Sequence, residues 1–438
     1  MGNEKESSQL LDNLLFPKIF RTFRMSIYYN SLIIGFMAVA IICLTGWIMD
    51  FSRTVVVAPG GEITDLQVYM TNPKEVKSHI ENYEEVGERR GVYSTLWHFA
   101  AARFHGALNS LFAFNLPGVA ANIAQYFKAV GWALRHHFLY CIILFAIKLA
   151  VISVAGGSLC RIAALQFAQG EKPGLTEALR FGTKKFLSFF TAPLAPVGII
   201  ILVGLFVFIL GLLGNIPRVG ELIMGIFMPL ALIAGALIAV ILIGTVAGFN
   251  LMFPAVAYDG SDCFDAISRS FSYVYSKPWR MAFYSALAMV YGAICYIFVR
   301  FFAFLLLWAT RWFLQLGIWV DSSSKESNKL SVIWPEPSFI NLLGSPDLAA
   351  ANWSEVFAAF LVHLFLLVIV GLLVSFILSF YFSANTIIYS LMRNRVDNTA
   401  IEDIYTDLED IQTEPTTTES EEPQPEAGTQ EEPSDSGE

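Results

Sequence analysis

Six runs of apolar residues recur along the chain, separated by basic or polar connectors. They fall at residues 31–48, 137–159, 192–213, 222–256, 282–306 and 356–382. A run of roughly 18 residues or more can cross about 30 Å of hydrocarbon as a helix, which satisfies its own backbone groups where no water can. The pattern predicts an all-α, polytopic membrane protein with six transmembrane helices. The fourth run covers 35 residues, more than a perpendicular crossing needs, so tilt or a break near Pro229 or Pro254 is expected.

The connectors have patterns of their own. In residues 1–30, Leu11, Leu14, Leu15, Ile19 and Phe23 fall near helical spacing with Lys18 and Arg21 between them, which predicts a helix lying along the membrane surface. The long connector 51–135 divides in two. Up to Arg90 it alternates strand-like and charged stretches and predicts a small polar insert. From Thr95 onward Leu96, Ala100, Phe104, Leu108 and Leu111 recur at helical intervals, and Leu116-Pro117-Gly118 interrupts them. Two helices on the outer leaflet, or a shallow re-entrant hairpin, would give that pattern. Residues 308–355 hold Trp308, Trp312, Trp319, Trp334 and Trp353, expected as an aromatic belt at headgroup level.

Connectors 161–190 and 257–281 are amphipathic and resemble each other at an offset of 88 residues. Glu171 aligns with Asp259, Glu177 with Asp265, Ala178 with Ala266 and Leu179 with Ile267. One reading is an internal repeat of a two-helix unit whose charges, Arg180 and Arg269 among them, bind a partner or anionic headgroups. The other is that connectors between spans tend to be amphipathic in any case.

Charge sets the expected orientation. Lys18, Arg21 and Arg24 precede the first span and Asp50 follows it. Arg161, Lys172, Arg180, Lys184 and Lys185 lie after the second, Arg269, Lys277 and Arg280 after the fourth, and Arg393 and Arg395 after the sixth. Basic residues accumulate on cytoplasmic flanks, so both termini are expected in the cytoplasm, with the body in a bacterial inner membrane. Composition agrees with a lipid-embedded body: 55% of residues are hydrophobic and only 15% charged. Fourteen acidic residues and no Lys or Arg lie from Ile401 to Glu438, which takes the formal net charge from −9 to +5 for the remainder. Residues 396–438 are expected as a disordered acidic cytoplasmic tail.

Candidate chemistry is sparse. Lys148 is the one charge near the middle of a span, where an ionisable residue points to function by default, although its long stem can also snorkel. Asn250 and Asn385 sit near the inner ends of spans and suit hydrogen bonds between helices. Gly244 and Gly248 form a GxxxG pair that admits close approach of another helix. HExxH, GxSxG, P-loop and post-strand GxGxxG motifs are absent, no intramembrane carboxylate of the kind that couples transport to protons is visible, and the five cysteines have neither disulfide nor zinc spacing. The expectation is a protein without catalytic residues, metal or cofactor, whose partners are the bilayer and either other membrane proteins or anionic headgroups, with nucleic acid excluded.

At Gly156 to Leu194 and again at Phe253 to Trp279 the chain resembles bacterial multi-pass membrane proteins without an assigned function. More distantly it is similar to the membrane domain attached to some glycerophosphodiester phosphodiesterases. The shared motif is an acidic residue a few positions past a span, then an EAL- or DAI-type amphipathic helix. The resemblance implies fold and location and carries over no catalytic residue. The expected function is a membrane scaffold or partner-binding component, with a transporter or lipid-handling protein as the alternative; a polar cavity reaching Lys148 would favour transport.

Overall fold

The computed structural model describes residues 16–59, 63–83, 86–318, 328–344 and 352–406. The body of the chain, up to Ile404, is one compact unit. A 3-10 turn at Phe16–Arg21 and a short helix α1 (Thr22–Ser26) lead into α2 (Tyr29–Met49). A small insert follows, built from β1 (Val55–Val57), α3 (Asp65–Thr71), α4 (Val76–Tyr83) and β2 (Glu88–Arg90), with β1 and β2 antiparallel and Val56 opposite Arg89. Then come α5 (Val92–Phe112), α6 (Leu116–His136), α7 (Phe138–Ala168), α8 (Leu175–Lys184), α9 (Phe186–Thr191) and α10 (Ala195–Leu213). The chain continues through α11 (Val219–Asp259), α12 (Cys263–Ser276), α13 (Pro278–Gly317), α14 (Lys329–Ile333) and α15 (Trp353–Val396). Six helices, α2, α7, α10, α11, α13 and α15, are long and apolar enough to cross a membrane.

Most of these helices outrun the apolar runs. α7 continues nine residues past residue 159 because Cys160 to Ala168 holds only helix-tolerant residues; the stop is Gly170, at φ 78°. Arg161, expected in a surface connector, is therefore a helical residue and is buried. α11 runs unbroken through both Pro229 and Pro254. α15 extends fourteen residues past residue 382, and its last turns, from Phe382 to Arg393, are buried throughout. The expected tail also begins later than residue 396, since Ile401 and Ile404 are buried against the bundle; residues 407–438 lie outside the described set. Trp334, expected in an aromatic belt, is buried, and its carbonyl accepts from Arg311 Nε at 3.0 Å.

Residues 16–26 and 393–404 mark one end of the bundle, the near end, and the long helices reach from it to the far end. Ser375 Oγ donates to the Leu32 carbonyl and Ser379 Oγ to the Ser26 carbonyl, so α15 from about residue 379 onward lies at or beyond the near end of α2. At the far end of α2, Asp50 caps the next long helix. Its two carboxylate oxygens accept from the backbone N–H of Tyr93 and of Ser94, each at 2.8 Å, and Tyr140 Oη donates to it at 2.7 Å. Gly91 makes this approach possible, because a Cβ there would sit 1.9 Å from Asp50 Cγ. Asp50→Ala removes the cap and the tyrosine bond together and is expected to cost about 2 kcal/mol, read as a loss of thermal stability in detergent.

From that cap, α5 and α6 form a hairpin that returns toward the near end. Both have 21 residues, as does α2, so each could span about 31 Å at 1.5 Å per residue. Phe104 packs edge-on against Tyr296 of α13 at 5.3 Å. Leu111 and Val119, close to the tip, line a cavity with Ser285 and Ile388, which belong to the near parts of α13 and α15. The hairpin is thus deep, in contrast to the surface or shallow arrangement that the sequence suggested. Two polar contacts lie within it, Arg103 Nη1 donating to Gln125 Oε1 at 2.5 Å and Asn122 Nδ2 to the Gly118 carbonyl at 2.9 Å. Phe114 at the tip is almost fully exposed.

Candidate functional site

The near end gathers a charged junction. α11 stops because Gly260 takes a left-handed conformation at φ 63°. Two residues later Asp262 accepts from the backbone N–H of Asp265 and starts α12. That short link places Asp259 at the end of one helix, Asp265 in the first turn of the next, and Arg269 one turn further. Arg269 Nε lies 2.9 Å from Asp265 Oδ2, and its Nη1 lies 3.4 Å from Asp259 Oδ2. α15 supplies the rest. Arg393 Nε approaches Asp259 Oδ1 at 3.1 Å, and the Tyr389 hydroxyl donates to Asp259 Oδ2.

Asp259 occupies a poor place for an anion, since carbonyl dipoles converge at a helix C-terminus, and its side chain is 7% exposed. Two guanidinium groups and a phenol compensate. Arg393 is itself held from three sides: it faces Asp259, Nη1 donates to the Asp403 carbonyl at 2.6 Å, and the group lies 5.4 Å from the Tyr258 ring centre. Its Nε contact with Asp259 is not aligned as a hydrogen bond, so ionic attraction carries it. Tyr258 donates to the Ile401 carbonyl, and Tyr273 donates to Asp397 Oδ2 at 2.5 Å. Burial, reinforced by Asp397, holds the Tyr273 hydroxyl above the usual phenol range, so it remains a donor. From the α7 side, Arg161 Nη1 donates to the Ala257 carbonyl at 3.3 Å and stacks over Phe181 at 4.7 Å. Lys185 Nζ donates to the Gly260 carbonyl at 2.6 Å. Such an arrangement ties four chain segments together, with Asp259 answered by two guanidinium groups and a phenol, and Arg161 and Lys185 held on backbone carbonyls.

Of the residues singled out from sequence, Asp259, Asp265, Arg269 and Arg161 meet here. Glu171 and Arg180 do not: both are exposed on the other unit. The two amphipathic units share architecture, α7 with α8 and α11 with α12, but Glu171 and its aligned partner Asp259 have opposite surroundings. The GxxxG pair also has an occupant from its own chain. A Cβ at Gly244 would come 3.0 Å from the Phe271 ring, and one at Gly248 would come 3.4 Å from Ser270, so these glycines admit α12.

Asn250 and Asn385 belong to a second feature, a cavity of about 400 Å³ walled by the α5–α6 hairpin, α13 and α15, with Asn250 contributed by α11. Tyr381 Oη donates to Asn250 Oδ1 at 2.5 Å, and Asn385 Nδ2 donates to the Tyr381 carbonyl at 2.9 Å. Asn250 Nδ2, Asn385 Oδ1 and Ser285 Oγ make no hydrogen bond among the described residues. The remaining walls are apolar, and Met289 and Ile123 on them are half exposed, so the cavity opens sideways. Lys148 is elsewhere: its ammonium lies 5.2 Å from the Tyr93 ring centre, in a cation–π contact beside the Asp50 cap. Sequence reasoning missed Tyr381, Tyr389 and the hairpin's share of the cavity. The continuation of helix-forming residues beyond residue 382 was the signal for Tyr389; Tyr381 lies within the sixth apolar run itself.

No family model, no curated protein and no solved structure matches this chain.

Proposed function

We propose that the protein is a non-catalytic, multi-pass membrane protein that binds an acyl-chain-bearing molecule in the cavity beneath the hairpin. The observation that carries this reading is the cavity itself: its volume falls within the 300–1,000 Å³ typical of ligand pockets, its walls are apolar, and three polar groups on them have no partner among the described residues. A hydrocarbon chain suits the walls, and an ester or hydroxyl group suits Ser285 and the two asparagines. A path for polar solutes has less support, because Lys148 is packed on Tyr93 and lines no part of the cavity. The basic flanks support a reading with the near end in the cytoplasm and the body in an inner membrane.

Met289→Trp tests this, since a half-exposed wall residue leaves room for a larger ring. Native mass spectrometry of the full chain is expected to show a retained lipid in the wild type and its loss in the variant, with helical content and melting unchanged. Ser285→Ala is expected to weaken retention about fivefold, the value of roughly 1 kcal/mol for one hydrogen bond. Equal retention in all three proteins would sink the reading.

The scaffold reading draws on a different region. In the most apolar part of α11 almost every residue is exposed or half-exposed, Ala234 and Gly244 excepted, and α10 is nearly as exposed. This pair packs on itself and presents apolar surface in the membrane plane, where a second membrane protein would dock. Site-directed cross-linking from Leu232 distinguishes the two: a discrete protein adduct supports the scaffold, and lipid adducts alone count against it.

A further inference from the structure

Beside α2, on the near end, the 3-10 turn and α1 put Lys18, Arg21 and Arg24 three residues apart. Together with the last turn of α7 and residues Ile401 and Glu402, they line a cleft of about 640 Å³. Among the described residues, none of the three cations forms an ion pair or a side-chain hydrogen bond, and Arg21 and Arg24 are exposed. Basic residues flanking a span are ordinary, and hydration alone would account for them on a convex surface. Here the surface is concave, and Gln166 on its wall has a buried Nε2 that makes no hydrogen bond among the described residues. An unanswered buried N–H costs about 1 to 3 kcal/mol, and a turn of the Gln166 side chain toward the cleft would let an acceptor there relieve it. One carboxylate, Glu402, and the terminal carbonyls of α7 oppose the three positive charges, so the balance stays positive.

We infer that this cleft is a binding site for a phosphate-bearing anion, presented by the headgroup of an anionic lipid in the adjoining leaflet. The guanidinium fork matches phosphate oxygens in pairs, lysine adds a point charge, and the Gln166 amide completes the set. Phe20, Ile27 and Tyr29, exposed next to the cleft, set it at the level where lipid meets water. The site shares no residue with the acyl-chain cavity and stands or falls independently of it.

The test is titration calorimetry of the full chain in a neutral detergent with dihexanoyl phosphatidylglycerol, dihexanoyl phosphatidylcholine or inorganic phosphate. Saturable binding of the anionic lipid is expected, with the zwitterionic lipid much weaker. The double variant Arg21→Gln/Arg24→Gln should lower affinity at least about tenfold, and Gln166→Leu should lower it about fivefold. Arg280→Gln, an exposed cation outside the cleft, should leave it unchanged. Inorganic phosphate that binds and displaces the lipid would uphold the site and name a soluble phosphate as the occupant; lipid binding that phosphate does not compete with would name the headgroup. No saturable binding of either, or an equal loss in Arg280→Gln, would overturn the proposal.

Discussion

Arg393→Leu is expected to lower the free energy of unfolding by about 3 to 5 kcal/mol, the usual cost of removing one partner from a buried ion pair. The cost comes mainly from what stays behind. Asp259 would remain buried at the C-terminal end of α11, where the helix dipole disfavours it, with only the half-exposed Arg269 and the Tyr389 hydroxyl in support. The Asp403 carbonyl and the Tyr258 ring would lose their cation as well. Removing both charges behaves differently: Asp259→Leu/Arg393→Leu should recover most of the loss, because an apolar pair of similar volume avoids the desolvation penalty of two ions. Arg269→Ala should cost no more than about 1 kcal/mol, since its side chain is 37% exposed and solvent screens it. Equilibrium unfolding in mixed micelles measures all three. A loss below about 1 kcal/mol for Arg393→Leu would show that the junction does not lock the near end.

How this junction was legible follows from its geometry. Asp259, Asp265 and Arg269 are close in sequence, so a helix stop followed by an N-cap predicts their proximity. Arg393 and Tyr389 lie some 130 residues away, and only the packing of α15 against α11 brings them in. The sixth apolar run ends near residue 382, yet a helix ends where its residues stop it, and nothing does so before Val396. Six apolar helices and their rough positions could be read from hydropathy because lipid leaves a single span no other regular structure. The two helices of the hairpin and the break at Leu116-Pro117-Gly118 could be read as well, but their depth could not, since Arg103, Gln125 and Asn122 depress the hydropathy and their bonds appear only once α5 and α6 are paired. Asp50 reads in sequence as a flanking charge, whereas its partners are backbone N–H groups 43 and 44 residues later.

A second large effect is expected outside the spans, in the small insert, where Asp65 is 1% exposed. It occupies the first position of α3, behind the Thr64–Gln67 capping box that already serves the free N–H groups there. The backbone N–H groups of Leu66 and Val56 hold the carboxyl down in part, but neither makes a hydrogen bond of good geometry, and both carboxylate oxygens are unpartnered. Burial dominates and pushes the Asp65 carboxyl up from 3.8 to about 7. The folded insert therefore binds this proton more tightly than the unfolded chain does. Its stabilising effect is complete below about pH 4, is lost as pH rises through 7, and amounts to roughly 4 kcal/mol, at 1.36 kcal/mol per pKa unit. Asp65→Asn keeps the shape and removes the charge, so the variant should match the wild type at low pH and exceed it by about that amount at pH 8. His79, which burial pushes down, acts in the opposite sense by disfavouring the fold at low pH, but it is present in both proteins and cancels in their difference. Amide hydrogen exchange at Val55 to Val57, which β1 buries completely, reads the local opening once corrected for intrinsic rates. Protection in the wild type should fall up to about a thousandfold between pH 4 and 8 relative to Asp65→Asn; parallel profiles would mean that Asp65 finds a partner when ionised.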